Sequence, residues 1–440
     1  VPSPTVPDLP AETTPRPSTK RRPSKQQYRR RRIVAAIVAL VVVGLFAGVG
    51  GYAANAAGHA LPLAAVTVDT PEPATVAEPV LAWPSYGAGA IGAIGFEGAL
   101  DQGVLAQYGS TDTLPIGSIA KVVTALVVLD AKPIAAGEDG PTITFGPDDV
   151  QWYNESVAEN GSVASVSNGL ELTEKQALTT MLVPSANNYA KSLAIWAYGS
   201  MDAFFAASRT WLDAHGLNST SLADASGLSP DTVSTTAEMV ALGELLVANP
   251  VLAEIVALKT VTVPGVGTLE NTNTILGQQG VDGIKTGTTD EAGACLLFSA
   301  DATVDGNAVT IVGVVVGADT HPQLAGDILG LLPSVEAGFH TVTVATAGTD
   351  YGDFDSVWGQ SADAIGTTDQ SVFVWGAVTA STEVKLQPLS TVADGAAVGT
   401  ATVTVNGVAH EIPLTAEGAI VDPGFGWRIT HPDELFAPSR

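Results

Sequence analysis

The hydrophobic positions divide the chain into three regimes. Residues 33–53, IVAAIVALVVVGLFAGVGGYA, carry no charged side chain. At 1.5 Å rise per residue such a run reaches the roughly 30 Å of a bilayer's hydrocarbon core, so it predicts a transmembrane helix over 33–54. From Trp83 to about residue 340, apolar positions recur at both helical and strand spacings. Helices are predicted over 118–129, 173–182, 187–198, 201–215 and 236–249, each bounded by polar, Gly or Pro residues. Residues 89–96, 284–286, 293–300 and 308–316 read as strands, the last two joined through Asp305 and Gly306, a hairpin signal. A closing helix over 322–339 follows Thr320, which is suited to cap it. Strands at both ends around a helical middle predict an α+β domain over 82–340. Short β-favouring runs at 341–345, 371–375, 383–388, 399–405 and 410–414 predict a small separate all-β sandwich over 341–440.

Charge sharpens this division. The net charge is -26, yet nine Lys and Arg against two Asp and Glu fall within residues 1–32, leaving ten against 43 in the rest. The tail 1–32, rich in Pro, Ser and basic residues, is expected to be disordered and cytoplasmic, because Arg29, Arg30, Arg31 and Arg32 abut the apolar run. The expectation is a single-pass plasma-membrane protein with everything after residue 54 outside the cytoplasm. A cleaved signal is the competing reading, since Ala54, Asn55 and Ala56 fit a small-residue cleavage pattern; the length of the apolar run favours the anchor. Residues 55–81, with Pro62, Pro71, Pro73 and Pro79, are expected to form an extracellular linker. An acidic body without a basic stripe cannot neutralise phosphates, which argues against nucleic acid as a partner. Cys295 is the only cysteine, and His59, His215, His321, His340, His410 and His431 show no metal-binding spacing, so no metal site and no cofactor are expected.

Three short motifs carry candidate chemistry. In SIAK at 118–121, a spacing of three places Ser118 and Lys121 on one helix face, where a lysine of lowered pKa can take the serine's proton. In SAN at 185–187, Pro184 breaks the preceding helix and leaves Ser185 and Asn187 in a connecting loop. In KTG at 285–287, Lys285 and Thr286 make a compact carboxylate grip on a strand, and Gly287 leaves room for a ligand along its edge. Each alone is an ordinary cap, turn or strand end; the ordered set of three is the signal.

The longer neighbourhoods PIGSIAK at 115–121, MLVPSANNYA at 181–190 and GVDGIKTGTTDEAG at 280–293 resemble the low-molecular-mass D-alanyl-D-alanine carboxypeptidases. So do NTN at 271–273, SGLS at 226–229 and STT at 234–236, and the resemblance covers about residues 83–340. It implies a β-lactamase/transpeptidase-like fold and a serine peptidase that removes the terminal D-alanine from peptidoglycan stem pentapeptides, with β-lactams acylating the same serine. It further implies Ser118 as nucleophile, Lys121 as general base, Ser185 as proton relay and Asn187 as orienting group. Lys285 and Thr286 would hold the terminal carboxylate, Gly287 would admit the substrate, and the backbone N–H groups of Ser118 and Thr288 would receive the oxyanion. Ala186 stands where relatives commonly have Gly or Asp, and Thr288 where they often have a bulkier residue. The module from 341 resembles the accessory domain of these enzymes less strongly, and no amphipathic anchoring helix is expected near residue 440.

Three alternatives are weighed. A class A β-lactamase needs a glutamate in an E-x-x-L-N setting, which residues 217–226 lack. A DD-endopeptidase would use the same residues as the carboxypeptidase. A non-catalytic penicillin-binding sensor would be signalled by loss of a motif residue, and none is lost.

Overall fold

The structure is a computed structural model and describes residues 25–71, 75–96, 103–135 and 137–437. At its centre lies a five-stranded antiparallel sheet in the order Val281–Thr289, Gly293–Val304, Asn307–Ala318, Ala88–Ile94, Ala106–Tyr108. The N-terminal strand therefore pairs with the third strand of a later meander, with Ile91 opposite Gly313. The paired strands read as runs of Val, Ile, Leu and Phe because the sheet is covered on both faces.

On one face the closing helix His321–Glu336 buries Leu324, Ile328, Leu331, Leu332 and Val335. Thr320 caps it, accepting from the Gln323 N–H. On the other face lies the helical part of the domain. The helix Ala120–Ala131 is buried from Ala120 to Leu129, since AKVVTALVVL is apolar nearly all round and must lie inside other helices. The helices Glu174–Leu182, Asn187–Tyr198, Met201–Ala214 and Thr236–Val247 surround it. Two helices not foreseen, Pro147–Ala158 and Pro250–Val256, complete this layer. The first is polar enough to hide its periodicity; the second is short.

A six-stranded sheet built from five strands beyond residue 338 and one from before the α+β domain runs in the order Ala65–Val68, Asp350–Asp355, Ser361–Gly366, Val408–Glu417, Ala397–Val405, Ala380–Leu386. The pair Phe339–Ala345 and Gln370–Trp375 packs against it over a shared core that includes Phe354, Val374 and Ile412.

Four expectations need correction. The helix over 33–54 runs from Lys25 to Gly58, because Lys, Gln and Arg are good helix formers and extend a helix already nucleated by the span. Residues 25–32 are thus helical, while the rest of the predicted tail, 1–24, lies outside the described residues. The linker 55–81 contains a strand: Ala65–Val68 pairs with Asp350–Asp355, Thr67 facing Asp353, since its β-branched residues fit a sheet edge. The C-terminal segment ends in the short helices Gly424–Thr430 and Pro432–Leu435, so it is not purely β.

Candidate active site

The helix Ala120–Ala131 is preceded by a tight turn, Gly117–Ile119, which presents Ser118 at the helix mouth. One turn on, Lys121 is fully buried. Its Nζ lies 2.8 Å from Ser118 Oγ, 2.7 Å from Asn187 Oδ1 and 2.9 Å from the Ser226 carbonyl. Burial, and then the neighbouring charge of Lys285, hold the Lys121 amine well below the ordinary lysine range, with Asp224 opposing. Three of the motif residues therefore meet at one nitrogen.

Asn187 opens the helix Asn187–Tyr198, and its N–H donates to the Ser162 carbonyl at 2.7 Å. The next two residues secure the same loop: Asn188 bonds both backbone groups of Ala164, and the Tyr189 hydroxyl donates to the Ser165 carbonyl. Ser185 is buried and follows Pro184 with φ of 68°, a left-handed conformation that a serine adopts only when its surroundings impose it.

The strand Val281–Thr289 carries Lys285, buried and pushed down to about 7 by desolvation, with Cys295 acting the other way. Thr286 Oγ1 lies 2.5 Å from Thr272 Oγ1, and Asn273 donates to the Gly283 carbonyl, so the NTN segment braces the strand. Gly287 is required by close approach: a Cβ there would sit 2.9 Å from the Ile116 carbonyl oxygen and 3.2 Å from Ser118 N. The backbone of Gly287 and Thr288 thus lies directly against that of Gly117 and Ser118.

Two contributors escaped the sequence reading. Asp224 organises the loop that supplies the Ser226 carbonyl. Its Oδ1 accepts from Ser226 N, Ser226 Oγ, Gly227 N and Leu228 N, and its Oδ2 from Ser229 N and Thr232 Oγ1. Burial alone would raise this carboxyl, but those hydrogen bonds hold it below the ordinary range. An Asp two residues before a Ser-Gly pair is the available signal, a side chain folding back on the following N–H groups. The second is His321, whose Nε2 lies 2.6 Å from Thr288 Oγ1 and whose pKa is lowered by burial and by Lys285. A lone histidine at a helix start gives no sequence signal of that contact. Beside Asn187 and Ser226 opens a cavity of about 500 Å³, lined also by Trp152, Lys191, Asp224 and Leu228.

Residues 99–320, which include all three motifs, match the profile of a peptidase family described as D-alanyl-D-alanine carboxypeptidase. The chain is 27% identical to the D-alanyl-D-alanine carboxypeptidase DacA of Escherichia coli over 277 residues, covering 62% of this chain and 67% of that one. It is 31% identical to a D-alanyl-D-alanine endopeptidase of Pseudomonas aeruginosa over 196 residues, covering 42% and 59%. Among solved structures, penicillin-binding protein 5 of Haemophilus influenzae superposes with a TM-score of 0.54 at 20% identity, covering 78% of this chain and 99% of that one, a likeness of fold.

Proposed function

We propose a mechanism for a chain that belongs to the D-alanyl-D-alanine carboxypeptidase family. It is a serine peptidase that removes the terminal D-alanine of peptidoglycan stem pentapeptides. Ser118 Oγ attacks the carbonyl carbon of the penultimate D-alanine and its proton passes to Lys121. The observation that carries this reading is the setting of the Lys121 amine, buried and 2.8 Å from Ser118 Oγ. Asn187 Oδ1 and the Ser226 carbonyl can only accept hydrogen bonds, so a neutral amine directs its two hydrogens to them and its lone pair to the Ser118 hydroxyl.

The tetrahedral oxyanion is received by the N–H groups of Ser118 and Thr288, and the close approach of these two backbone segments supports that role. Lys285 and Thr286 hold the terminal carboxylate, and Gly287 leaves the space it needs. As the C–N bond breaks, the leaving nitrogen takes the proton from Lys121 through Ser185. Water then attacks the ester carbonyl with Lys121 again as base, releasing the shortened peptide and restoring Ser118 O–H. A β-lactam enters the same path, its amide bond opening onto Ser118 Oγ.

The apolar N-terminal helix fits a membrane anchor, and the basic residues before it support a cytoplasmic N-terminus with the active site outside. The test is incubation of the full chain with a fluorescent penicillin, mass mapping of the adduct, and D-alanine release from a pentapeptide. Label on Ser118 with release is expected, both lost in Ser118→Ala; label without release would leave a binding sensor. A cross-linked peptide dimer in the same assay separates endopeptidase from carboxypeptidase.

A further inference from the structure

The outer end of the N-terminal helix Lys25–Gly58 does not end in open solvent. Arg428 Nη1 donates to the carbonyls of His59 at 2.6 Å and Ala56 at 3.4 Å, using acceptors that the last turn of a helix leaves unpaired. Its Nη2 is held 2.7 Å from Asp422 Oδ2. The Tyr52 hydroxyl donates to the Ile429 carbonyl at 2.9 Å, and the Phe436 ring packs 4.7 Å from His59. The helix Gly424–Thr430 is therefore clasped to the last two turns of the span.

That clasp fixes its height. The apolar run from Ile33 to Ala53 fills roughly 30 Å of hydrocarbon, which puts Tyr52 at the boundary and residues 56–59 in the headgroup layer above it. Three large apolar side chains lie on or beside the segments joined to the clasped helix, each more than half exposed: Val357 at 52%, Val421 at 54% and Phe425 at 53%. Val357 and Val421 stand on loops and Phe425 on the helix Gly424–Thr430, and these segments are knitted to one another. Gln360 Oε1 accepts from both Val421 N and Trp358 Nε1, and the rings of Trp358 and Trp427 meet at 5.5 Å. Paired aromatic rings with apolar neighbours suit the membrane interface, where they are enriched. The charges in residues 420–437 are Asp422, Asp433 and Glu434 against Arg428 alone, so attraction to anionic lipid does not supply the contact.

We infer that Val357, Val421 and Phe425, backed by Trp358 and Trp427, form a lipid-facing footing that seats the C-terminal module in the outer headgroup layer beside the span. This rests on the helix being retained as an anchor. The strand Ala65–Val68, which follows the span closely, is itself paired into that module, so the enzyme stands on a fixed mount instead of swinging on a tether.

Cys295 is fully buried, so a dye reports from a single introduced cysteine. Full-length Phe425→Cys, Leu45→Cys in the span and Val157→Cys on the catalytic domain are labelled with an environment-sensitive dye in phosphatidylcholine vesicles, with and without phosphatidylglycerol. At position 425 a blue shift, quenching by headgroup-level nitroxide lipid and loss of iodide quenching are expected, equal in both lipids. At 45 quenching comes from deep nitroxide, and at 157 from iodide alone. Arg428→Ala should return the 425 dye to iodide access and leave the 45 dye unchanged. A water-like 425 dye above a buried 45 dye overturns the footing, as does a requirement for phosphatidylglycerol. An unchanged 425 dye in Arg428→Ala overturns the clasp as its cause, and a 45 dye in water removes the anchor and the footing together.

Discussion

Replacing Asp224 by Asn tests whether the loop behind the proposed general base, Lys121, is held by charge. The carboxylate accepts at both oxygens: four donors reach Oδ1, and Ser229 N and Thr232 Oγ1 reach Oδ2. An asparagine placing its oxygen at Oδ1 keeps the first set and turns an NH2 toward the second, so two hydrogen bonds to a charged group are lost. At roughly 1.5 to 3 kcal/mol each, the lower end for a loop free to relax, the expected cost is about 3 kcal/mol. That corresponds to a drop in Tm of roughly 6 to 12 °C for a domain of this size. The catalytic effect follows from Ser226, whose carbonyl is one of two fixed acceptors on Lys121. Loosening it lets the amine rotate, and acylation by a fluorescent penicillin should slow by about tenfold to a hundredfold, or roughly 1.4 to 2.8 kcal/mol. The pH dependence has a definite sign. Hydrogen bonds hold the folded pKa below the ordinary aspartate value, so the stabilisation is full above that value and is lost as pH falls through the folded pKa. The variant should lose stability at neutral pH and converge on wild type in acid. Wild-type Tm and acylation rate in Asp224→Asn would refute the reasoning.

In Lys285→Met the charge that depresses Lys121 is gone; the Lys121 pKa rises, and the rising limb of the acylation-rate profile should move to higher pH, a shift measured by stopped-flow labelling across pH. Gly227→Ala should abolish labelling, because φ is 81° and the new Cβ would lie 1.7 Å from the Gly117 carbonyl oxygen, displacing the turn that carries Ser118; rapid labelling by the variant would contradict this. Glu174 is buried with neither oxygen partnered, and burial raises its pKa to about 7. Its stabilisation is present below the unfolded value and lost as pH rises through about 7, so Glu174→Gln should raise Tm at pH 8 and change it little at pH 4, read by thermal denaturation.

What the sequence made legible depended on whether a signal was local. The meeting of Ser118 and Lys121 follows from a three-residue spacing, and the hairpin of Gly293–Val304 with Asn307–Ala318 from the Asp305-Gly306 turn between them. The strands Asp350–Asp355 and Ser361–Gly366 were missed because Asp350, Asp353, Asp355 and several small residues disguise alternation that only the packed module reveals. The strand Ala65–Val68 was read as linker because its partner is some 285 residues distant and prolines surround it. Asp224 and His321 were hidden for different reasons: the first has only the weak local signal of an Asp ahead of a Ser-Gly pair, and the second meets Thr288 only once the closing helix lies across the sheet.

The two buried lysines show how the fold does chemical work. An ammonium without a countercharge is costly to bury, and the two lysines raise that cost for each other. The structure nevertheless encloses both, Lys121 with two carbonyl acceptors and Lys285 with the Thr286 carbonyl at 3.2 Å. The arrangement is tolerable when one amine is neutral: burial depresses both, and at Lys121 the neighbouring charge of Lys285 acts in the same direction. A substrate carboxylate arriving at Lys285 would favour the charged form there and pair with it. In the proposed reaction that ion pair offsets the cost of one buried ammonium while the other amine stays neutral beside Ser118, a division of roles that a single lysine in the same cleft would lack.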